Sequence, residues 1–162
     1  MPITISDIAE IFELRTILET AAARLAAARA TKTQLDRIEE LASYTYIYKD
    51  HLSYRDFLSH NTEFHLAVAT ASGNHRLVDE ISQILDALTR VFHMGLELRD
   101  SAEEMRREHK SLTEALRSHD PDAAERIIRE QISRSQKRVL EALMPGLGNT
   151  PVGTLSQNIQ LG

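Results

Sequence analysis

The 162-residue chain contains no cysteine and no tryptophan, and its four prolines stand at positions 2, 121, 145 and 151. Without cysteine, neither a disulfide framework nor a thiolate metal site can form, which fits a reducing compartment such as the cytoplasm. The absence of proline between positions 3 and 120 leaves most of the chain free of helix breakers. The sequence also lacks an apolar run long enough to cross a membrane, and its start is not a signal peptide.

The remaining composition is typical of one soluble helical domain. Hydrophobic residues make up 42% and charged residues 27% of the chain, and alanine and leucine, which favour helix, dominate. The formal net charge is −5, which makes this chain a poor candidate for a nucleic-acid surface. We therefore expect that it does not bind DNA specifically by itself.

Apolar residues recur at helical spacing, and no strand pattern or repeat is present. Helix start and stop signals predict six helices. Their predicted spans are Thr4 or Ser6 to about Ala30, Lys32 to about Lys49, Ser53 to about Ser72, Asn74 or His75 to about Leu98, a fifth beginning after Ser101, and Pro121 to about Leu143. This pattern predicts an all-α antiparallel bundle over residues 1–144, followed by a flexible tail at residues 145–162.

The first helix is expected to bury a heptad-like apolar seam, with Arg15 near the edge of that seam. The seam residues are Ile11, Leu14, Leu18, Ala21 and Leu25. Two further helices are expected to begin with capping boxes, one formed by Thr31 with Gln34 and the other by Ser101 with Glu104.

Several polar residues lie on the apolar faces of the later helices. Asn61 and His65 are four residues apart on the third helix and share one face, while His109 and Gln131 lie on inward stripes of the fifth and sixth helices. If these three helices are neighbours, the four side chains meet in one cavity. They could bind a metal or a polar ligand, or they could be hydrogen-bonded core residues.

Three segments together resemble the FCD domain, the effector-binding and dimerising C-terminal domain of FadR-type regulators in the GntR family. The segments are ELRTILE at 13–19, NTEFH at 61–65 with SGN at 72–74, and EHKSLTEAL at 108–116 followed by Asp120 and Ala123-Ala124. The resemblance implies a homodimer whose winged helix-turn-helix domain precedes this domain and is missing here. We therefore expect a fragment of a regulator that contacts DNA only through that missing domain.

Many FCD domains hold a divalent metal, and the resemblance assigns the matching positions here to Asn61, His65, His109 and Gln131. Gln131 replaces the usual last histidine, and none of the four side chains is charged. We therefore expect zinc or nickel to bind weakly, or tightly only when an anionic effector completes the coordination. The alternative is that the metal has been lost and a polar pocket remains.

Arg15 matches an arginine that can face the effector cavity in this family, and a guanidinium suits a carboxylate effector. The alternative for Arg15 is a surface or interhelix salt bridge with Glu19, four residues later. The leading interpretation of the whole chain is a sensory domain for a small anionic metabolite. Two alternatives remain, a pure dimerisation module and a metal-dependent helical-bundle enzyme. The enzyme lacks an inward carboxylate as a base unless Glu63 or Glu108 turns inward.

Overall fold

In a computed structural model of the chain, the structure describes residues 3–144, and the predicted tail at 145–162 lies outside this part. The described residues form six α-helices and no β-strand, which confirms the predicted all-α fold. The helices are α1 (Ile5–Arg29), α2 (Lys32–Ala42), α3 (His51–Ala71), α4 (His75–Leu98), α5 (Ala102–Arg117) and α6 (Pro121–Leu143). No helix among the described residues is long and apolar enough to span a bilayer.

Most helix ends follow the sequence signals. The Thr31 hydroxyl accepts the Gln34 N–H while the Gln34 side chain bonds back to Thr31, so the predicted capping box forms. The carboxylate of Asp120 accepts the N–H of Ala123 at the start of α6. Gly73 takes a positive φ of 75° just beyond Ser72, the C-cap of α3, where a residue with a side chain would be strained.

The prediction that α2 continues to about Lys49 is wrong, since the helix ends at Ala42. The following segment leaves the helix so that Tyr46 can be buried against the rings of Tyr54 and Phe57, at centroid distances of 5.4 and 5.1 Å. The Tyr46 hydroxyl also accepts the N–H of Ser101 at 2.7 Å. Burial of this aromatic ring outweighs the local helical pattern.

Two predicted caps also differ from the structure. Asp50, rather than Ser53, caps α3, because its carboxylate accepts the N–H groups of Leu52 and Ser53. Ser101 precedes α5 but makes no side-chain cap bond. No capping box forms there, and the Glu104 carboxylate instead pairs with Arg99 and Arg138, at 3.2 and 3.4 Å.

The predicted seam of α1 is wrong in part, because Leu14 is 45% exposed and Ala21 is also exposed. Ile11 and Leu18 of that seam are half-buried and pack against the core. The helix instead buries a neighbouring stripe, which consists of Ile8, Phe12, Arg15, Glu19, Thr20, Ala22, Ala23, Ala26 and Ala27. Its small alanines let the helix lie at the centre of the bundle, in contact with α3, α4, α5 and α6. This stripe carries two charged residues into the interior, which determines the chemistry of the site.

Candidate functional site

A small cavity lies at the centre of the bundle and is lined by charged and polar side chains from several helices. Arg15 comes from α1, Asn61 and His65 come from α3, and Gln131 and Arg138 come from α6. The other residues that line the cavity are apolar except for Ser135. Three of them belong to α4 and one belongs to α5. The free space amounts to ≈ 30 Å³, which is room for water molecules but not for a metabolite of several carbon atoms.

A chain of buried hydrogen bonds crosses the cavity wall from α1 to α6. Arg15 donates to Glu19, whose other carboxylate oxygen lies 2.6 Å from His65 Nδ1. The amide nitrogen of Gln131 lies 3.4 Å from His65 Nε2. The ionised carboxylate of Glu19 accepts the Nδ1–H of His65, which leaves His65 Nε2 facing the Gln131 amide.

Glu19 remains ionised at the centre of this network although it is only 4% exposed. Burial by itself would raise the pKa of Glu19, but the charges and hydrogen bonds of Arg15 and His65 outweigh burial and lower that pKa to about 2. The carboxylate therefore neutralises Arg15 and orients the His65 ring.

Arg15 is held in the bundle interior by more than its ion pair. Its guanidinium lies 5.6 Å from the centre of the Phe12 ring and 5.4 Å from that of Phe92. It also donates to the Ser135 hydroxyl at 3.3 Å. The salt bridge with Glu19 considered as an alternative does form, but it is buried rather than on the protein surface, and of its two residues Arg15 lines the cavity.

His109 lies beside the cavity rather than in its lining. Its ring centroid is 5.8 Å from that of His65 and 4.3 Å from that of Phe64. Burial, together with the nearby charges of His65 and Arg138, holds the pKa of His109 well below its ordinary value of 6.5. The imidazole is therefore neutral at pH 7 and keeps a lone pair available.

Several buried polar atoms near the cavity have no hydrogen-bond partner among residues 3–144. They include the amide oxygens of Asn61 and Gln131 and both ring nitrogens of His109. An unsatisfied buried group costs about 1–3 kcal/mol, so these atoms are suited to meeting a polar ligand, a cation or water. Their donor chemistry, two amide oxygens and an imidazole, fits a borderline divalent metal.

The sequence interpretation did not assign two charged residues to this site, and it considered Glu19 only as a surface or interhelix partner of Arg15. Glu19 corrects the expectation that no inward carboxylate lies near the histidines. Of the two carboxylates named as exceptions, Glu63 is exposed and pairs with Arg37, whereas Glu108 does turn inward and pairs with Arg138. The spacing of Glu19 from Arg15, four residues on one helix face, was the available signal. Even so, in the part of the chain that the structure describes, Glu19, His65 and His109 are not close enough together to form a three-ligand cluster.

The second missed residue is Arg138, which is buried and lines the cavity. Its guanidinium donates to both oxygens of Glu108, each at 3.3 Å. Burial raises the pKa of Glu108 although Arg138 opposes the rise. Arg138 lies seven residues after Gln131, so it continues the inward stripe of α6, and this spacing was visible in the sequence.

Comparison with known proteins identifies related chains. A model of the FCD domain family matches residues 10–134. The galactonate operon transcriptional repressor of Escherichia coli (strain K12) is 30% identical over 131 residues, which cover 80% of this chain and 56% of the repressor. The present chain thus spans little more than half the length of that relative.

Two solved structures have similar folds. Streptococcus agalactiae GntR is 25% identical with a TM-score of 0.64, over 80% of this chain and 58% of that one. E. coli McbR/YncC, at 20% identity, has a TM-score of 0.74 over 88% of this chain and 68% of that one, and supports the fold alone. With the family match covering most of its length, the chain belongs to the FCD domain family of GntR-type transcriptional regulators.

Proposed function

We propose that residues 1–144 form the sensory and dimerisation domain of a transcriptional regulator and that the central cavity binds a small carboxylate metabolite. The observation that carries this proposal is the presence of two buried guanidinium groups, Arg15 and Arg138, in the lining of one cavity. Guanidinium groups grip carboxylates through paired hydrogen bonds. Asn61, His65, His109 and Gln131 are the proposed polar contacts to the rest of the effector.

Each of these arginines is already bound to a carboxylate of the protein, with which an effector would compete. Glu19 accepts a hydrogen bond from Nε of Arg15, and Glu108 accepts hydrogen bonds from both terminal nitrogens of Arg138. An incoming carboxylate would share or replace these partners, so the buried guanidinium groups favour anions and disfavour cations. Sugar acids are a suitable first class to test, because one relative is named as a galactonate operon repressor.

We further propose that zinc or nickel binds weakly here, or together with the effector. His65 and His109 would hold the ion through ring nitrogens, and Asn61 and Gln131 through amide oxygens. When bound, the ion would supply positive charge for the effector carboxylate. Glu19 would keep the His65 ring oriented, because a carboxylate that accepts the Nδ1–H directs Nε2 toward the ligand.

Effector binding would have to change the packing of the helices. The free volume of ≈ 30 Å³ is far below the roughly 300–1,000 Å³ of ordinary small-molecule pockets. Because Arg15 is on α1 and Arg138 is on α6, widening the cavity would move these two helices relative to each other. In the proposed regulator this movement would reposition DNA-binding domains outside this chain. Only those domains would contact DNA, and the regulator would act in the cytoplasm.

A sensor is favoured over the alternative of a metal-dependent enzyme. Two carboxylates face inward, and both oxygens of Glu108 accept hydrogen bonds from Arg138. Glu19 is a weak base, because its pKa is lowered to about 2. Its oxygens are also occupied by Arg15 and His65. The related proteins of known role are transcriptional regulators.

Native mass spectrometry of the domain after gentle purification tests the effector proposal. The expected result is one small carboxylic acid per protomer, released unchanged after long incubation. A neutral or cationic ligand in that cavity, or conversion of the bound acid into a product, would contradict the proposal.

The metal proposal has its own test in zinc and nickel titrations. Gln131→His should raise the affinity for either metal, since it adds a third imidazole. The double substitution His65→Ala with His109→Ala should abolish binding at this site while the dimer persists. Equal affinities at this site in all three proteins would contradict the assigned ligands.

A further inference from the structure

A second group of histidines lies on the surface, where α3 begins and α4 ends. His51 is the first residue of α3, and His93 and Glu97 are one turn apart near the end of α4. Among residues 3–144 these three form the sole group of histidine, aspartate and glutamate side chains whose ligand atoms all lie within 4.8 Å of one another. None of them lines the central cavity.

We propose that His51, His93 and Glu97 form a second site for a divalent transition metal, with zinc as the best-suited ion. Two imidazoles and one carboxylate are common ligands for zinc. They leave one tetrahedral position open for water or an external donor. The proposal is independent of the function assigned to the central cavity.

The observed separations suit a tetrahedral ion. One carboxylate oxygen of Glu97 lies 3.0 Å from His51 Nδ1 and 3.4 Å from His93 Nδ1. With metal–ligand bonds of about 2.0 Å, neighbouring corners of a tetrahedron are about 3.3 Å apart. The ligand atoms of the two histidines lie within 4.8 Å of each other, so a shift of at most about 1.5 Å would bring all three atoms to tetrahedral spacing.

The two imidazoles also pack against one buried aromatic ring, that of Tyr54. Tyr54 lies 5.3 Å from the His51 ring and 5.6 Å from the His93 ring, measured between centroids. Tyr54 is 1% exposed, and its hydroxyl accepts the N–H of Lys49 at 2.6 Å. A fixed aromatic ring limits the rotation of both histidines, which lowers the entropy lost when a metal binds.

Solvent can reach the ligands, and their charges suit a dication. The side chain of His51 is 67% exposed, and Glu97 and His93 are each more than a third exposed. Two neutral imidazoles and one carboxylate leave a bound dication with one positive charge. The open position therefore favours water, hydroxide or an anionic group.

A metal at this site would join the start of α3 to the end of α4. Gly95 and Leu96, on the same turn of α4 as the proposed ligands, belong to the wall of the central cavity. Zinc should therefore stabilise the domain against heat and fix this part of the wall.

Calorimetric titration of zinc chloride into the full chain tests the site, with substitutions His51→Ala, His93→Ala and Glu97→Gln. Each substitution should weaken zinc binding at this surface site by at least about tenfold. Even the loss of an outer-sphere partner of a metal ligand lowers metal affinity by about 10–100-fold. His75→Ala is the matched control, because His75 is an exposed histidine at the opposite end of α4. His75→Ala should leave the zinc isotherm unchanged. His65→Ala, a substitution in the central cavity, should leave zinc binding at the surface site unchanged.

Cobalt provides a second measurement that does not depend on heat. Tetrahedral Co²⁺ bound to the wild-type chain should give visible absorption that is lost in His93→Ala and retained in His75→Ala. Circular dichroism should show the same helix content in all variants, because the substituted side chains are on the surface. Zinc isotherms that are identical for the wild type and the three ligand variants would overturn the proposal.

Discussion

Glu19 carries a buried negative charge and links Arg15 and His65, which both line the cavity. One carboxylate oxygen bonds to Arg15, and the other lies 2.6 Å from His65 Nδ1. A buried ion pair adds little to stability compared with well-packed apolar residues, but loss of one partner leaves the other charge uncompensated. The contribution of Glu19 is therefore to the arrangement of the site more than to stability.

Glu19→Gln should destabilise the domain by about 3–5 kcal/mol, because Arg15 would remain buried without a counter-charge. Urea unfolding at pH 7 measures this change. Glu63→Gln is the control, since Glu63 is exposed and should change stability by less than about 1 kcal/mol. Similar losses in the two variants would show that the ion pair at Arg15 is not the reason.

The ionisation of Glu19 also predicts how stability depends on pH. Its pKa is about 2 in the folded chain and 4.5 as an ordinary value, so its contribution is fully present above pH 4.5 and declines as the pH falls toward 2. The shift corresponds to about 3 kcal/mol.

Urea unfolding of the wild type and Glu19→Gln, measured in chelator-containing buffer from about pH 7 to about pH 3, tests this dependence. The gap between the two proteins should narrow below pH 4.5. A gap that stays constant across this range would contradict the assigned ionisation.

The sequence predicted which polar side chains face the interior but not which of them contact one another. Helical spacing alone indicated that Asn61, His65, His109 and Gln131 face the interior, and all four are buried. Spacing does not reveal which side chains meet across helices. The link between Glu19 and His65 depends on how α1 lies against α3, which only packing decides.

At the level of elements, the segment between α2 and α3 shows how one side chain can end a helix. The Tyr46 ring is buried with Tyr54 and Phe57, and its hydroxyl accepts the Ser101 N–H before α5. This contact ties three parts of the chain together. The local sequence pattern from Lys32 to Lys49 indicated a longer helix because it contains no information about this distant partner.

Tyr46→Phe should therefore destabilise the domain by about 1–3 kcal/mol, since the buried N–H of Ser101 would lose its acceptor. Thermal or chemical unfolding measures this loss. Tyr48→Phe is the matched control, because no hydrogen bond of the Tyr48 hydroxyl is present among the described residues. Equal stability of the wild type and Tyr46→Phe would contradict a structural role for this hydrogen bond.

The two faces of α1 explain why its buried side was assigned wrongly. Both the predicted seam and the observed stripe contain apolar residues at helical spacing, and the observed stripe also includes Arg15 and Glu19. Charges normally indicate the exposed face. Here the two charges neutralise each other and occupy the interior, and Leu14 and Ile17 are left 45% and 59% exposed.

For the whole molecule, this exposed face of α1 supports the proposed homodimer, because contiguous exposed apolar residues mark interaction surfaces. Ile17→Glu should weaken self-association by placing a charge in the interface. In sedimentation, the wild type should be found at twice the 18.3 kDa chain mass and the variant nearer 18.3 kDa.

Leu52→Glu is the control for this substitution, because Leu52 is 84% exposed and is placed on α3. It should leave the dimer intact. A wild-type chain that sediments only at 18.3 kDa would contradict dimerisation through this domain.

The central claim is that the cavity between Arg15 and Arg138 binds a carboxylate effector, and calorimetric titration tests it most directly. Galactonate is the first probe, followed by other sugar acids, with the wild type and Arg138→Gln compared at equal concentration. The predicted result is binding of one acid per protomer by the wild type and at least about tenfold weaker binding by Arg138→Gln, since a charge-assisted hydrogen bond contributes about 1.5–3 kcal/mol. An acid that binds both proteins with the same affinity would contradict the claim.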